Sequence, residues 1–260
     1  MKAWMAICLL ALLAACTTTG PAGEGARQPI SQEPAANEQR QRAKAHYELG
    51  ALYLQDGRFA VALEEARIAL AADADYAPAY NLLGLTHMLL DEPKLAEDNF
   101  EAALRRAPGD PEISNNFGWF LCQTGREARA MNFFLTAARN PLYGSPSKPY
   151  TNAGICSIRL KDDKAAEAHL RRALQLDPEN TQALFWLADI AYRQSRTPEA
   201  RQWIAELEKV SELNSAATWL ALRIERKLGN RDGEARHAAQ LRRKFASSTE
   251  LGKLLQGDYE

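Results

Sequence analysis

The sequence predicts an all-α fold: about six tandem helix-turn-helix units wound into a superhelix and preceded by a flexible segment. Three observations predict it. Gly50, Gly84, Gly118 and Gly154 recur at intervals of 34, 34 and 36 residues. Twelve residues after each of them stands an alanine, Ala62, Ala96, Ala130 and Ala166, and Ala200 continues that series. Seven residues further on, Ala69, Ala103, Ala137 and Ala173 form a third ladder in step with the first two.

The first element is the stretch MKAWMAICLLALLAAC. One lysine precedes an apolar run from Ala3 to Ala15, too short to cross a bilayer as a permanent helix, so residues 1–15 read as a signal segment. Leu13-Ala14-Ala15-Cys16 resembles a bacterial lipobox, which implies cleavage before Cys16, diacylation of its thiol and acylation of its new amino group. Three acyl chains exceed the two signals that stable anchoring requires, at ~0.8 kcal/mol per buried methylene. By the same resemblance, Thr17 is not the aspartate that retains such lipoproteins in the inner membrane, so the implied address is the outer membrane, facing the periplasm. Residues 16–40 are rich in Pro, Gly, Ala and polar side chains without apolar periodicity, the composition of a flexible tether.

Residues 41–260 carry the repeats. A 34-residue period with small residues at fixed places and a proline near the repeat end, Pro108 and Pro178, is the tetratricopeptide signature. Five repeats begin near residues 43, 77, 111, 147 and 181, and a degenerate sixth begins near 215. In the sixth, Trp219-Leu220 and Gly229-Asn230 keep register, whereas Leu222 replaces the glycine and Ala235 falls one residue late, as in an end-capping repeat. Gly118, inside ISNNFGWFLCQTG, costs roughly 1 kcal/mol of helix propensity relative to alanine. The ladder explains it if the first helix (A) and second helix (B) of each repeat cross too closely for a side chain there. Between the third and fourth repeats, NPLYGSPSKPY is two residues longer than the other connections, and its Pro and Gly residues mark a loop.

In such a superhelix the A helices line the concave face. The expected groove residues are Tyr47, Ala51 and Leu54 in repeat 1, Asn81, Leu85 and Met88 in repeat 2, Asn115, Asn116 and Trp119 in repeat 3, and Asn152 in repeat 4. That face is apolar enough to take a partner's apolar helix or extended segment. Asn116 and Asn152 stand where similar proteins hold a ligand's backbone through an amide that both donates and accepts. Burial of these residues by neighbouring helices or by the C-terminal tail is the alternative. A carboxylate clamp of the chaperone-binding kind is excluded, because Tyr47 occupies the place of its lysine. The last repeat is basic, from Arg223 to Lys244, which reads as a solvated face or as a contact for anionic lipid or cell-wall polymer.

Once Cys8 leaves with the signal segment and Cys16 is acylated, Cys122 and Cys156 remain, on A helices of adjacent repeats. A disulfide and two separate buried thiols are both open from their spacing. A bridge would contribute ~2–4 kcal/mol. His46, His87, His169 and His237 share no metal-ligand spacing, and no phosphate loop or nucleophile elbow occurs, so neither an enzyme nor a metal site is expected. The net charge of −1, or −2 without Lys2, supplies no electrostatic footprint for nucleic acid. No small-molecule substrate and no cofactor beyond the covalent lipid on Cys16 are expected.

SNNFGWFLCQTGR and NAGICSIRLKDDKAAEAHLRRALQLDP, together with the lipobox and tether, resemble the PilF/PilW family of type IV pilus biogenesis lipoproteins. The resemblance covers the whole mature chain. It implies a pilotin, a lipoprotein that brings the secretin, the ring-shaped outer-membrane channel of the pilus, to the outer membrane and promotes its multimerisation. It also implies that Cys122 and Cys156 pair. Two other readings share the anchor and fold: a lipoprotein of the machinery that inserts outer-membrane barrels, and a scaffold for peptidoglycan enzymes.

Overall fold

A computed structural model describes residues 28–259, and among them it contains thirteen α-helices, one 3-10 turn and no strand. The signal segment, Cys16 and the first part of the expected tether lie outside the described residues. None of the described helices is long and apolar enough to cross a membrane. Six antiparallel pairs follow in order: α1 (Glu38–Gln55) with α2 (Phe59–Ala72), α3 (Ala77–Leu89) with α4 (Pro93–Arg106), and α5 (Pro111–Gln123) with α6 (Glu127–Ala138). Then come α7 (Ser147–Arg159) with α8 (Asp163–Leu176), α9 (Thr181–Arg193) with α10 (Thr197–Val210), and α11 (Ser215–Lys227) with α12 (Arg231–Lys244). A short α13 (Thr249–Gln256) closes the C-terminal end.

Local chemistry sets the boundaries. Asp110, Asn180 and Asn214 accept first-turn backbone N–H groups of α5, α9 and α11, donors that no helix satisfies by itself. Each pair reverses through one left-handed residue, in order Gly57, Asp91, Gly125, Lys161, Ser195 and Gly229, with φ between 58° and 77°. Glycine holds this place in three repeats. In the other three a side chain sits in a conformation that costs about 1–2 kcal/mol for an L-residue.

The glycine ladder is a packing device. A Cβ added to Gly118 would stand 2.8 Å from the ring of Phe134 on α6, and one added to Gly154 would stand 2.6 Å from Leu170 on α8. Phe100, Phe134 and Leu170 occupy the same place in their B helices and are fully buried, so a large B-helix residue fills the notch that the A-helix glycine leaves. Repeat 6 inverts the pair. Leu222 stands at the glycine place and Ala238 at the large-residue place, and both belong to one cluster with Trp219, Leu241 and Leu251. The departure that made this repeat look degenerate therefore conserves volume across the helix crossing, which is what close packing demands. Phe245, Leu254 and Tyr259 cover the cluster, and Tyr259 stacks on Trp219 with ring centroids 5.7 Å apart.

The structure differs from the sequence expectation at the tether. The expected tether runs to residue 40, yet α1 starts at Glu38, capped by Asn37, and Ile30–Gln32 form a 3-10 turn seated on the repeats. The physical reason is Ile30. It is the one large aliphatic residue between positions 16 and 40, and it packs against two core clusters, one with Ala43, Tyr76 and Ala79 and one with Ala77, Ala103 and Ile113.

Candidate partner-binding groove

The candidate groove is built from the A helices α1, α3, α5 and α7. Leu85, Met88 and Trp119 are half-buried and lean on a cluster that contains Phe117, Phe120, Leu121 and Ala153, so their remaining surface forms an apolar stripe with a firm floor. Leu54 is half-buried against Ala66, Leu82 and Leu83. Ala51, also half-buried, lies on the same helix as Leu54. A stripe of this kind is half-desolvated already and loses the rest of its water when an apolar segment is laid along it.

The asparagines are joined to one another. Asn152 Nδ2 donates to Asn115 Oδ1 at 2.9 Å, Asn115 Nδ2 to Asn116 Oδ1 at 3.3 Å, and Asn116 Nδ2 to Asn81 Oδ1 at 3.3 Å. This amide relay ties α7, α5 and α3 together across their concave sides. Asn81 and Asn115 were expected to line the groove, but they are 2% and 0% exposed, because the close approach of consecutive A helices seals them in. Their work is to hold the repeats in register. Asn116 and Asn152, also expected to line the groove, are buried as well, 6% and 9% exposed, with their amides engaged in the same relay.

Cys122 on α5 and Cys156 on α7 are fully buried and form a disulfide, with Cα atoms 5.8 Å apart. It crosses the same A-helix seam as the relay. Arg159 reinforces the seam by donating to the Cys122 carbonyl oxygen at 3.2 Å and to Gln123 Oε1 at 2.8 Å.

Tyr47, expected to line the groove, is half-buried and engaged by the N-terminal segment. Its ring meets Tyr76 edge-on at 5.8 Å, and its hydroxyl is hydrogen-bonded to Ser31 of the N-terminal segment. Burial pushes the Tyr47 phenol above its ordinary range, with the Glu112 carboxylate acting in the same direction. The segment makes two further bonds to the start of α5. The Ile30 N–H donates to Asp110 Oδ2 at 2.8 Å, and Ser31 Oγ donates to Glu112 Oε2. Burial raises the pKa of both carboxyls above their ordinary values, even though Asp110 also accepts from the Glu112 and Ile113 amides. No periodic signal in the sequence predicts this docking; its one mark is Ile30, the one large aliphatic residue between positions 16 and 40.

The basic face of the last repeat is largely spoken for. Arg226 pairs with Glu234 and lies over the Tyr259 ring, Arg223 lies over Tyr192, and Lys244 pairs with Glu212. Among the described residues, no group of three His, Cys, Asp or Glu side chains is placed to hold a metal ion.

The tetratricopeptide repeat family matches residues 47–111, 81–143 and 164–217, and a further tetratricopeptide repeat match covers residues 147–180. The chain belongs to the tetratricopeptide repeat family. Within it, the chain is similar to the type IV pilus assembly protein PilF of Pseudomonas aeruginosa, 28% identical over 241 residues that span 93% of this chain and 94% of PilF. The solved structure of Pseudomonas aeruginosa PilF superposes with a TM-score of 0.76 at 26% identity, covering 85% of this chain and all of that one. The crystal structure of PilW, a widely conserved type IV pilus biogenesis factor, superposes with a TM-score of 0.76 at 28% identity, covering 83% of this chain and 99% of PilW. The resemblance to PilF and PilW that the cysteine-bearing motifs suggest therefore extends over the whole tetratricopeptide domain.

Proposed function

We propose that this protein is an outer-membrane lipoprotein of type IV pilus biogenesis that acts as a pilotin for the secretin. The observation that carries the reading is the end-to-end correspondence with PilF and PilW, which are described as pilus assembly and biogenesis factors. The tetratricopeptide fold, together with the similarity to PilF and PilW, supports a protein-interaction scaffold.

The parts divide the work. Acyl chains on Cys16 carry the protein to the outer membrane, and the residues after it supply reach. The concave stripe of Leu54, Leu85, Met88 and Trp119 lays hold of an apolar secretin segment. The disulfide and the amide relay keep the A helices rigid, so little order is lost when the segment docks. Confining pilotin and client to one membrane raises the effective concentration of secretin subunits and favours multimers.

Co-purification tests the groove. Wild-type protein is expected to retain the secretin from solubilised membranes, and Leu85→Glu and Trp119→Ala are each expected to lose most of it while staying lipidated and folded. Normal secretin capture by both variants overturns the groove assignment. Capture instead of barrel-insertion components or peptidoglycan enzymes moves the protein to one of those systems.

A further inference from the structure

The N-terminal segment occupies a site that the repeats build for it. Ile30 sits between two core clusters at the N-terminal ends of α3 and α5. Asp110 uses Oδ1 to cap α5 and turns Oδ2 to the Ile30 N–H, so one carboxylate ends a helix and reads a foreign backbone. Glu112 takes the Ser31 hydroxyl, and the Gln32 amide reaches the long loop before α7, within 3.5 Å of where a Cβ on Gly144 would stand. Tyr143 from that loop is buried beside the two acids. The longer loop between repeats 3 and 4 thus forms one wall of a peptide slot.

We propose that this slot is a peptide-recognition site, held in cis by residues 29–32 and exchangeable with a partner's segment that carries a large aliphatic residue followed by a hydroxyl residue. Three features favour exchange over a fixed structural strut. The occupant is only four residues long, runs from Pro29 to Gln32 and is followed at once by Glu33, which closes its turn through an N–H to the Ile30 carbonyl oxygen and accepts from Lys44 Nζ, and then by Pro34. The acceptors that read it, the N-cap Asp110 and first-turn Glu112 of α5, are positioned by the helix start, so they remain set when the segment leaves. A cleft of about 370 Å³ continues past the occupant between Arg106, Pro108, Thr136 and Arg139, giving room for a longer chain than the one that fills the slot. The slot reads one backbone N–H, one aliphatic side chain and one hydroxyl, presented together by a single 3-10 turn, a short motif that a partner's segment can carry as well. Its opening removes the Ser31 contact from the Tyr47 hydroxyl and releases residues 29–36, which precede α1, from the repeats. It stands on the cis contacts alone, whichever protein the concave stripe binds.

The test uses the full chain in detergent and a fluorescein-labelled peptide of residues 28–35, Gln-Pro-Ile-Ser-Gln-Glu-Pro-Ala. Ile30→Gly with Ser31→Ala empties the slot, and the peptide is expected to bind this variant at least tenfold more tightly than wild type. Adding Glu112→Ala, or replacing the peptide's isoleucine by aspartate, is expected to abolish that gain. Independently, excess peptide is expected to speed hydrogen exchange of the Ile30 amide in the wild-type chain at least tenfold, a readout that needs no variant to fold. Equal binding to emptied and wild-type protein, binding indifferent to Glu112→Ala, or an Ile30 amide whose exchange ignores the peptide each overturns the proposal. A dimer that forms as the Ile30 amide is released assigns the slot to a second copy instead and overturns it too.

Discussion

Phe134 fills the notch left by Gly118: a Cβ there would stand 2.8 Å from the ring, nearer than carbon atoms approach without one of them moving. Phe134 is fully buried. Gly118→Ala is therefore expected to destabilise the protein by about 1–3 kcal/mol through overpacking, although alanine is the better helix former. Urea unfolding of the variant, with Phe134→Leu added to make room and recover part of the loss, checks this.

Cys122 and Cys156 close a loop with a sequence separation of 34 across the seam between repeats 3 and 4. Reduction, or Cys122→Ala with Cys156→Ala, is expected to lower unfolding stability by about 2–4 kcal/mol. The loss is read as a drop in the urea midpoint of the reduced protein. An unchanged midpoint means that the A-helix seam is held by the amide relay and packing alone.

Lys161 occupies the left-handed turn between α7 and α8, where Gly125 stands one repeat earlier. Lys161→Gly is expected to stabilise the fold by up to about 1 kcal/mol, since it relieves the 1–2 kcal/mol of strain and gives back part of that as unfolded-state entropy. Gly125→Ala is expected to cost a similar amount. Paired thermal melts of the two variants give opposite shifts if the turn geometry is right.

Glu112 is buried beside Asp110, and its carboxyl titrates above the ordinary 4.5. A raised carboxyl means the folded state prefers the neutral form. Its contribution is undiminished below the ordinary value and is lost as pH rises through the raised one. Glu112→Gln, which keeps an acceptor for Ser31, is expected to melt higher than wild type at pH 8 and to converge with it below pH 4.5. His169 and His237 act with the opposite sign. Burial lowers both, so the stability they contribute is present above the ordinary histidine value of 6.5 and is lost as pH falls through their lowered values. Melting temperatures across pH 4 to 8 for Glu112→Gln and for His237→Gln separate the two contributions.

The repeat architecture was legible in the sequence because close helix crossing permits few residues. Gly84, Gly118 and Gly154 report a steric fact that no surface exchange can hide. The sixth repeat was half legible. Leu222 looked like a lapse until Ala238 on the opposite helix showed that the large and small partners had changed places. The groove was legible as a helix face but not atom by atom: single-helix periodicity puts Asn81 and Asn115 on the concave side, and only the neighbouring A helix seals them in. The N-terminal slot was illegible for a different reason. Its occupant and its acceptors are 80 residues apart, and a lone isoleucine among prolines and glycines carries no periodic signal.

The most direct measurement is the amount of detergent-resistant secretin multimer in the outer-membrane fraction of three strains: wild type, a deletion of this gene, and one carrying Cys16→Ala. Loss of multimer in the deletion, and retention of secretin in the inner membrane with Cys16→Ala, is the result expected of a lipid-anchored pilotin. Unchanged multimer in the outer fraction of both altered strains contradicts it.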